Sequence, residues 1–415
     1  MPTLNRWKLS SLSRQAMRSM KVAFWQKGTV HKMPRTATNS MADSLQSKFE
    51  SESTDTPPKH PYLGLPDRQF WKKEPGLAQP DTFDPVSPPL FRILRTTPVV
   101  TAGSCFAQHV ARHMTAQGYN HLIEEKAHPL FDEGLSSEFN YGLFSARYGN
   151  IYTTRQLNQT LQRAFGSYHP IQNAWRRGGR FVDPFRPQIH PNGFSSEAEL
   201  NEDRRRHLGA IRRAVQKMEV FVFTLGLTEA WVDRRDGAVF PIAPGVAGGV
   251  YDPSLVSFHN FNLTETISDL KAALRFIRGQ NPGVKIILTV SPVSLNATME
   301  DQHVAVATAY SKSVLRIAAQ EMADTVSDCV YFPSYELITS PVTRSSYFAE
   351  DGRSVLEAGV EHVMRLFFHH FGVGSAHTTL SPPLIDEANL RTQNHVSKMS
   401  QVIDALCDEE ALRND

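Results

Sequence analysis

The chain has 415 residues, of which 40% are apolar and 21% are charged, the composition of an ordinary folded globular protein. Its net charge of +2 is unevenly spread, since residues 1–42 carry eight Lys or Arg and no acid. Without those cations the remainder of the chain carries about −6. Nucleic-acid binding needs clustered cations that neutralise phosphates, so we expect no nucleic-acid partner.

Hydropathy and cysteine spacing exclude two further classes of protein. No run approaches the roughly 18 consecutive apolar residues of a membrane helix, so we expect no integral membrane segment. Cys105, Cys329 and Cys407 are far apart and lack the paired spacing of a structural zinc site. They are typical of a reduced set in a cytoplasmic protein. We therefore expect no metal and no cofactor, while the oligomeric state is left open.

Composition divides the chain into four parts. Residues 1–42 are basic and acid-free, which fits a mitochondrial presequence, a disordered basic tail, or a chain whose true start is Met41. Residues 43–90 form an extended polar segment with an aromatic patch at Tyr62, Phe70 and Trp71. Residues 91–374 are predicted to form the packed domain, and residues 375–415 a linker followed by one helix.

The predicted domain alternates short β-branched runs with helical patterns. This alternation predicts a three-layer α/β/α sandwich with a mostly parallel sheet. The clearest strands are apolar on both faces, and they are residues 98–102, 220–224, 285–290 and 330–332. The predicted helices are residues 106–117, a helix that ends at 218, and residues 263–279, 303–322 and 355–371. Ser196 and Glu199 have the spacing of a capping box before the second helix.

Three segments follow predicted strands and should converge at one edge of the sheet, where ligands bind in parallel α/β folds. They are Gly103-Ser104-Cys105, Gly226-Leu227-Thr228-Glu229 and Ser291-Pro292-Val293. Cys105 lies at the first turn of a helix, where the helix dipole and free amides favour a nucleophilic thiolate. The alternative is a small buried residue that only fits the turn.

These segments resemble the GSCFA family, which is named after the motif found here at residues 103–107. The resemblance extends to about residue 364 and includes residues 145–152, 223–231, 289–293 and 331–336. The GSCFA family looks like a bacterial relative of the SGNH (GDSL) hydrolases. The resemblance therefore implies an SGNH-hydrolase-like α/β fold.

The resemblance also implies roles for single residues. Cys105 stands where SGNH hydrolases have the nucleophilic serine, and Ser104 stands where they have an aspartate. Gly142 is the best match to the oxyanion-hole glycine. Thr228 replaces the oxyanion-hole asparagine, and a hydroxyl is a poorer donor there than a carboxamide N–H.

The last SGNH block is an Asp-x-x-His pattern, and it aligns with Asp351 and Ser354. Ser354 stands where the catalytic histidine is expected, so a general base must come from elsewhere if the protein is an enzyme. His303 is our first candidate, because it begins a helix just beyond the loop at residues 291–293. His259, which precedes another helix, is the second.

Other polar residues have two interpretations each. Glu229 either orients a base or holds its own loop, and Arg353 either binds an anionic substrate group or pairs with Asp351. His109 and His113 have the spacing of a metal pair, but the carboxylate of a His-Glu-x-x-His motif is missing, so we expect no metal site.

The resemblance implies an acyl ester hydrolase or O-acyltransferase that uses a small-molecule or glycan ester, in particular a cell-surface or capsular glycan precursor. Cys105 would be the nucleophile. The alternative is a catalytically inactive glycan-binding or assembly protein, which Ser354 in place of histidine favours. Trp231 either stacks on a sugar ring or belongs to the core.

Overall fold

A computed structural model of the chain describes residues 60–373. The chain divides into two compact units, residues 1–65 and 66–415, and the strands and helices of the described residues lie in the second unit. The predictions for the basic tail, for the C-terminal linker and helix and for Cys407 lie outside the described residues.

Nine strands and eight helices are found within residues 60–373. The strands are β1 (Val99–Gly103), β2 (Trp175–Arg177), β3 (Arg180–Val182), β4 (Val220–Leu225), β5 (Glu229–Asp233), β6 (Val239–Phe240), β7 (Val256–Asn260), β8 (Lys285–Val290) and β9 (Cys329–Tyr331). The helices are α1 (Phe106–Ala116), α2 (Glu133–Glu138), α3 (Thr154–Ala164), α4 (Glu197–Lys217), α5 (Leu263–Gln280), α6 (Val304–Thr325), α7 (Ser334–Thr339) and α8 (Glu357–Phe371).

The central sheet is parallel and has the strand order β1-β4-β8-β9. An isolated parallel bridge between Val99 and His121 extends the sheet beyond β1. After β1 the chain first adds His121 on one side of this strand and then places β4 on its other side. The direction of the chain across the sheet therefore reverses between β1 and β4. Ligands of doubly wound sheets bind in the crevice at such a switch point, outside the carboxyl ends of the strands.

Helices cover both faces of this sheet, as the three-layer prediction requires. Side chains alternate between the two faces along each strand. Phe221 and Phe223 of β4 pack with α3, α4, α5 and α6 on one face. Val220 and Val222 pack with α1, α7 and α8 on the other face. The predicted three-layer α/β/α sandwich is therefore confirmed.

The segment before β1 contributes to the same core. Phe83, Phe91 and Ile93 are buried in the layer that holds α1 and α8. The Ile93 amide donates to the Phe371 carbonyl at the end of α8 (2.7 Å). Trp71, by contrast, is 62% exposed.

Two small antiparallel sheets lie outside the central one. β2 and β3 form a hairpin, and β5 pairs with both β6 and β7. Trp175, Phe185 and Phe240 form a separate small core between them. Since β5 starts four residues after β4 ends, this second sheet begins close to the carboxyl edge of the central sheet.

The structure tests the predicted helix start at Ser196. The Ser196 hydroxyl accepts from the Glu199 amide (3.2 Å), so the cap itself is confirmed. The reciprocal half of the predicted capping box is wrong, because the Glu199 carboxylate accepts from the Ser195 amide and hydroxyl instead. Within residues 60–373, no helix combines the length and the apolar character needed to cross a bilayer.

Candidate functional site

The turn between β1 and α1 holds Gly103, Ser104 and Cys105 at the predicted switch point. Gly103 has a φ of 138°, and a Cβ at this position would collide with the backbone of Thr224 in β4. The Ser104 amide donates to the Thr224 carbonyl (3.1 Å). Glycine is therefore required where β1 ends so closely against β4.

Ser104 and Cys105 are both buried, with 3% and 2% of their surface exposed. Among the described residues, the Ser104 hydroxyl has no hydrogen-bond partner. A buried hydroxyl without a partner is costly, and it is often explained by an absent water or ligand atom.

The amides at the start of α1 differ in whether they find a backbone acceptor. The amides of Ala107 and Gln108 donate to the carbonyls of Ser104 and Cys105 (2.8 and 3.0 Å). Within residues 60–373 no backbone acceptor is found for the amides of Cys105 and Phe106. Free amides at a helix N-terminus favour a negatively charged atom beside them.

The loop after β4 is held in place beside this turn by hydrogen bonds between its own backbone and Tyr152, Lys312 and Ser311. The amides of Gly226 and Leu227 both donate to the Tyr152 carbonyl (3.1 Å each). Buried Lys312 donates to the Gly226 carbonyl (2.6 Å). The Thr228 amide donates to the hydroxyl of Ser311 (3.1 Å). These contacts make the loop beside Ser104 rigid.

Thr228 is buried, and its hydroxyl is already engaged. It donates to Asn260 Oδ1 (2.7 Å), while Asn260 Nδ2 donates to the Glu300 carboxylate (2.9 Å). A carboxylate accepts only, so it determines which end of the Asn260 amide faces Thr228. The structure thus commits both the amide and the hydroxyl proton of Thr228 to protein partners. Gly142 has a φ of 83° in the turn that follows α2.

Asp351 and Ser354 lie in an exposed turn before α8. One Asp351 oxygen accepts from the amides of Arg353 and Ser354 (2.9 Å each), and the other accepts from the Ser354 hydroxyl (2.6 Å). The hydrogen bond from Ser354, followed by those two amides, lowers the pKa of Asp351. Arg353 donates to the Ser294 carbonyl (3.2 Å), which joins this turn to the loop after β8.

Neither of the two histidines favoured by the sequence lies in hydrogen-bonding contact with Cys105. His303 is exposed, and its Nδ1 caps α6 by accepting from the Ala305 amide (3.1 Å). His259 Nε2 contacts the Glu265 carboxylate (2.9 Å).

The helix that follows Cys105 carries the other candidate imidazoles. His109 lies one helical turn after Cys105, and burial together with the Arg112 charge lowers its pKa to about 3. His109 is therefore neutral near neutral pH. Arg112 and His113 both contact Glu357 at the start of α8 (2.6 and 3.5 Å). No group of three or more metal-ligating side chains is found in the part of the chain that the structure describes.

Glu229 holds a loop. Its carboxylate accepts from the Thr298 hydroxyl (2.7 Å), and burial raises its pKa. Of the two interpretations made from the sequence, this contact supports the loop-holding one.

A buried network of charged side chains holds the segment at residues 145–152 in place. This network was not predicted from the sequence. Arg147 is 1% exposed and donates to Glu125 (3.3 Å), Asp203 (3.1 Å) and the carbonyls of Phe139 and Ile189 (2.8 and 3.1 Å). Charged residues are seldom fully buried unless paired, so burial could not be read from the residue types. The occurrence of Arg147 within the motif at residues 145–152 was the available signal.

A second group of ion pairs continues this network. Asp183 is fully buried and pairs with Arg186 (3.0 Å) and Arg204 (3.2 Å), while His207 contacts Glu125 (2.7 Å). Together these residues fix the segment at residues 145–152. That segment carries the Tyr152 carbonyl, which accepts from the loop after β4.

A small pocket of about 30 Å³, roughly the space of one water molecule, lies beside this segment. Asn150 and Tyr152 line one side, and Phe185, Pro187 and Ile242 line the other. Tyr152 connects this pocket with the loop after β4, because its carbonyl accepts from the Gly226 amide.

Fold and site together define a doubly wound α/β protein whose candidate site lies at the switch point between β1 and β4. The model of the GSCFA family matches residues 98–367, so the chain belongs to the GSCFA family. The match contains every candidate site residue named above. A comparison with curated proteins found no match.

Proposed function

We propose that the protein is an acyl ester hydrolase or O-acyltransferase with Cys105 as its nucleophile, acting on a glycan ester in the cytoplasm. The observation that carries this proposal is the arrangement around Cys105. A thiol lies at a helix N-terminus beside two amides without backbone acceptors and next to a buried hydroxyl without a partner. These groups are the ones that an acyl-transfer site needs: a nucleophile and donors for an oxyanion.

In the proposed reaction a general acid–base group first takes the thiol proton of Cys105. The sulfur then attacks the acyl carbonyl carbon, and the carbonyl π electrons move onto oxygen. The amides of Cys105 and Phe106 and the Ser104 hydroxyl stabilise this oxyanion. When the carbonyl re-forms, the ester C–O bond breaks and the leaving alkoxide takes a proton from the general acid. Water or a sugar hydroxyl then attacks the thioester and returns its proton to the same group, which releases Cys105.

The family's relation to SGNH hydrolases is part of the proposal. It is supported by the contact between the Ser104 turn and the Gly226 loop, and by the contact of Arg353 with the loop after β8. Because the Thr228 hydroxyl already donates to Asn260, we assign the stabilisation of the oxyanion to the donors at the start of α1. His303 is the proposed proton carrier, and its Nε2 is the nitrogen that does not cap α6.

A binding or assembly protein without catalysis is the second candidate. Ser354 in place of histidine favours it, and so does the burial of Cys105. A substrate could reach the Cys105 sulfur only if the loops around it moved, whereas a binding protein does not need access to this sulfur.

The test uses p-nitrophenyl esters first, and then acetylated oligosaccharides with and without an acyl donor. Cys105→Ala should abolish turnover, and Cys329→Ala, which also removes a buried thiol, should not. His303→Asn keeps a good helix cap but removes the imidazole, and it should lower kcat by about 10² to 10⁴. Turnover that survives Cys105→Ala would exclude the proposed nucleophile, and glycan binding without turnover would favour the second candidate.

A further inference from the structure

One face of the small sheet formed by β5, β6 and β7 carries an unusual set of half-exposed side chains. The strand register pairs Trp231 with Phe258 and Glu229 with Asn260. Alternate residues of a strand point to the same face, so all four side chains share one face. All four are partly exposed, whereas Asp233 further along β5 is buried.

The aromatic side chains on this face contact one another edge-on. The Trp231 ring lies 5.3 Å from Tyr251 at 79° and 6.0 Å from Phe258 at 66°. Tyr251 is 45% exposed, in contrast to Trp175, which is 4% exposed in the adjoining core. Trp231 packs with part of its surface against the small core around Trp175, but Trp231 and Phe258 both stay partly exposed.

We propose that Trp231, Phe258 and Tyr251 form an aromatic patch that binds a pyranose ring of a carbohydrate. The inference rests on the proposed function and identifies where on the protein the glycan ester is bound. Aromatic rings match the apolar C–H face of a pyranose. The polar pair Glu229 and Asn260, next to the rings on the same face, can contact sugar hydroxyl groups at the edge of the ring.

The aromatic patch lies within reach of the candidate nucleophile. Gly226 packs against Ser104, and β5 begins three residues later. At about 3.3 Å per residue, Trp231 lies within roughly 17 Å of Gly226 along the chain. A short oligosaccharide bound at the aromatic patch can therefore present an ester near Cys105.

Charge favours a neutral carbohydrate over other occupants. The polar side chains at this end of the face include the carboxylates of Glu229 and Glu300. Like charges at short range repel, so phosphate-rich ligands are disfavoured beside the aromatic patch. A nucleic acid or an anionic lipid surface would need cations there.

The test measures binding separately from turnover. Isothermal titration calorimetry on Cys105→Ala protein uses maltotetraose, laminaritetraose and triacetylchitotriose as probes. We expect at least one of them to bind. Tyr251→Ala and Trp231→Ala should each weaken this binding and raise its Kd by about tenfold or more. Trp71→Ala removes an exposed tryptophan elsewhere and should leave the Kd unchanged.

Tyr251 is exposed, so its alanine variant keeps the test valid even if Trp231→Ala disturbs folding. Absence of binding by any probe at about 10 mM, or binding unchanged in both variants, would overturn the proposal. We expect the small p-nitrophenyl esters to react without contacting the aromatic patch. Turnover of these esters with no effect of the patch variants on glycan binding would therefore reject the aromatic patch alone, while binding without turnover would reject the proposed chemistry alone.

Discussion

The α-carbon of Gly226 lies directly against Ser104, since a Cβ built on Gly226 would stand 3.0 Å from the Ser104 Cβ. The same Cβ would stand 3.2 Å from the Tyr152 carbonyl oxygen. Three segments that are far apart in the chain thus meet at one glycine. Their contact closes the switch point of the sheet around the candidate nucleophile.

Gly226→Ala should destabilise the protein by about 1–3 kcal/mol, because the added methyl group meets backbone atoms that cannot move aside. The free energy of unfolding in urea measures this change. Gly279→Ala is the matched control, since nothing lies within 4 Å of its Cβ position near the end of α5. It should stabilise the protein by up to about 1 kcal/mol. Equal effects of both variants would contradict the close packing.

The two described cysteines should differ in reactivity. Burial raises the pKa of Cys329 to about 12, so its thiolate is scarce near neutral pH. Cys105 lies at the N-terminus of α1, beside the amides of Cys105 and Phe106, for which no backbone acceptor is found among the described residues. Iodoacetamide should therefore modify Cys105 faster than Cys329 in the folded protein, as followed by peptide mass spectrometry. Faster modification of Cys329 would argue against an activated Cys105.

The donors of the oxyanion site can be separated by two hydroxyl deletions. Ser104→Ala should lower kcat by about 10²-fold or more, the usual effect of losing one oxyanion donor. Thr228→Val should have a smaller effect on kcat, because the Thr228 hydroxyl already donates to Asn260. Both are read from initial rates on p-nitrophenyl esters, with circular dichroism as the folding control. A larger decrease of kcat in Thr228→Val than in Ser104→Ala would indicate that Thr228 is the oxyanion donor.

The buried charged network should make stability depend on acid pH. Burial alone would raise the pKa of Glu125, but the charges of His207, Arg186 and Arg147 lower it to about 2. A carboxyl group with a lowered pKa stabilises the fold above its unfolded pKa of 4.5. That contribution is lost as the pH falls towards about 2.

Urea unfolding between pH 7 and pH 3 measures this loss. Glu125→Gln should cost about 3–5 kcal/mol at pH 7, because it leaves buried arginine charge without its partner. The difference from the wild type should shrink as the pH falls. Glu138→Gln replaces an exposed glutamate and should follow the wild type throughout. A constant difference at all pH values would show that Glu125 acts through packing and not through its charge.

Much of the fold could be predicted from local patterns in the sequence. The predicted strands at residues 220–224 and 285–290 match β4 and β8, and the helix predicted from residue 106 matches α1. Buried parallel strands are apolar on both faces, and helices have their own periodicity, so both leave a signal within a few residues. The strand-to-helix turn that holds Ser104 and Cys105 was visible for the same reason.

Only the tertiary structure decided the partners of the polar groups. Nothing local indicates that Asn260 takes the Thr228 hydroxyl, that His303 caps its own helix, or that Arg147 is buried among carboxylates. Hydropathy treats a buried ion pair and an exposed one alike, because the pairing joins residues that are distant in the chain. The sequence by itself determined the layers, the order of the elements and the turn at Cys105, since each depends on short-range patterns. Which donors stay free to meet a substrate depends on long-range contacts, and those exist only in the folded chain.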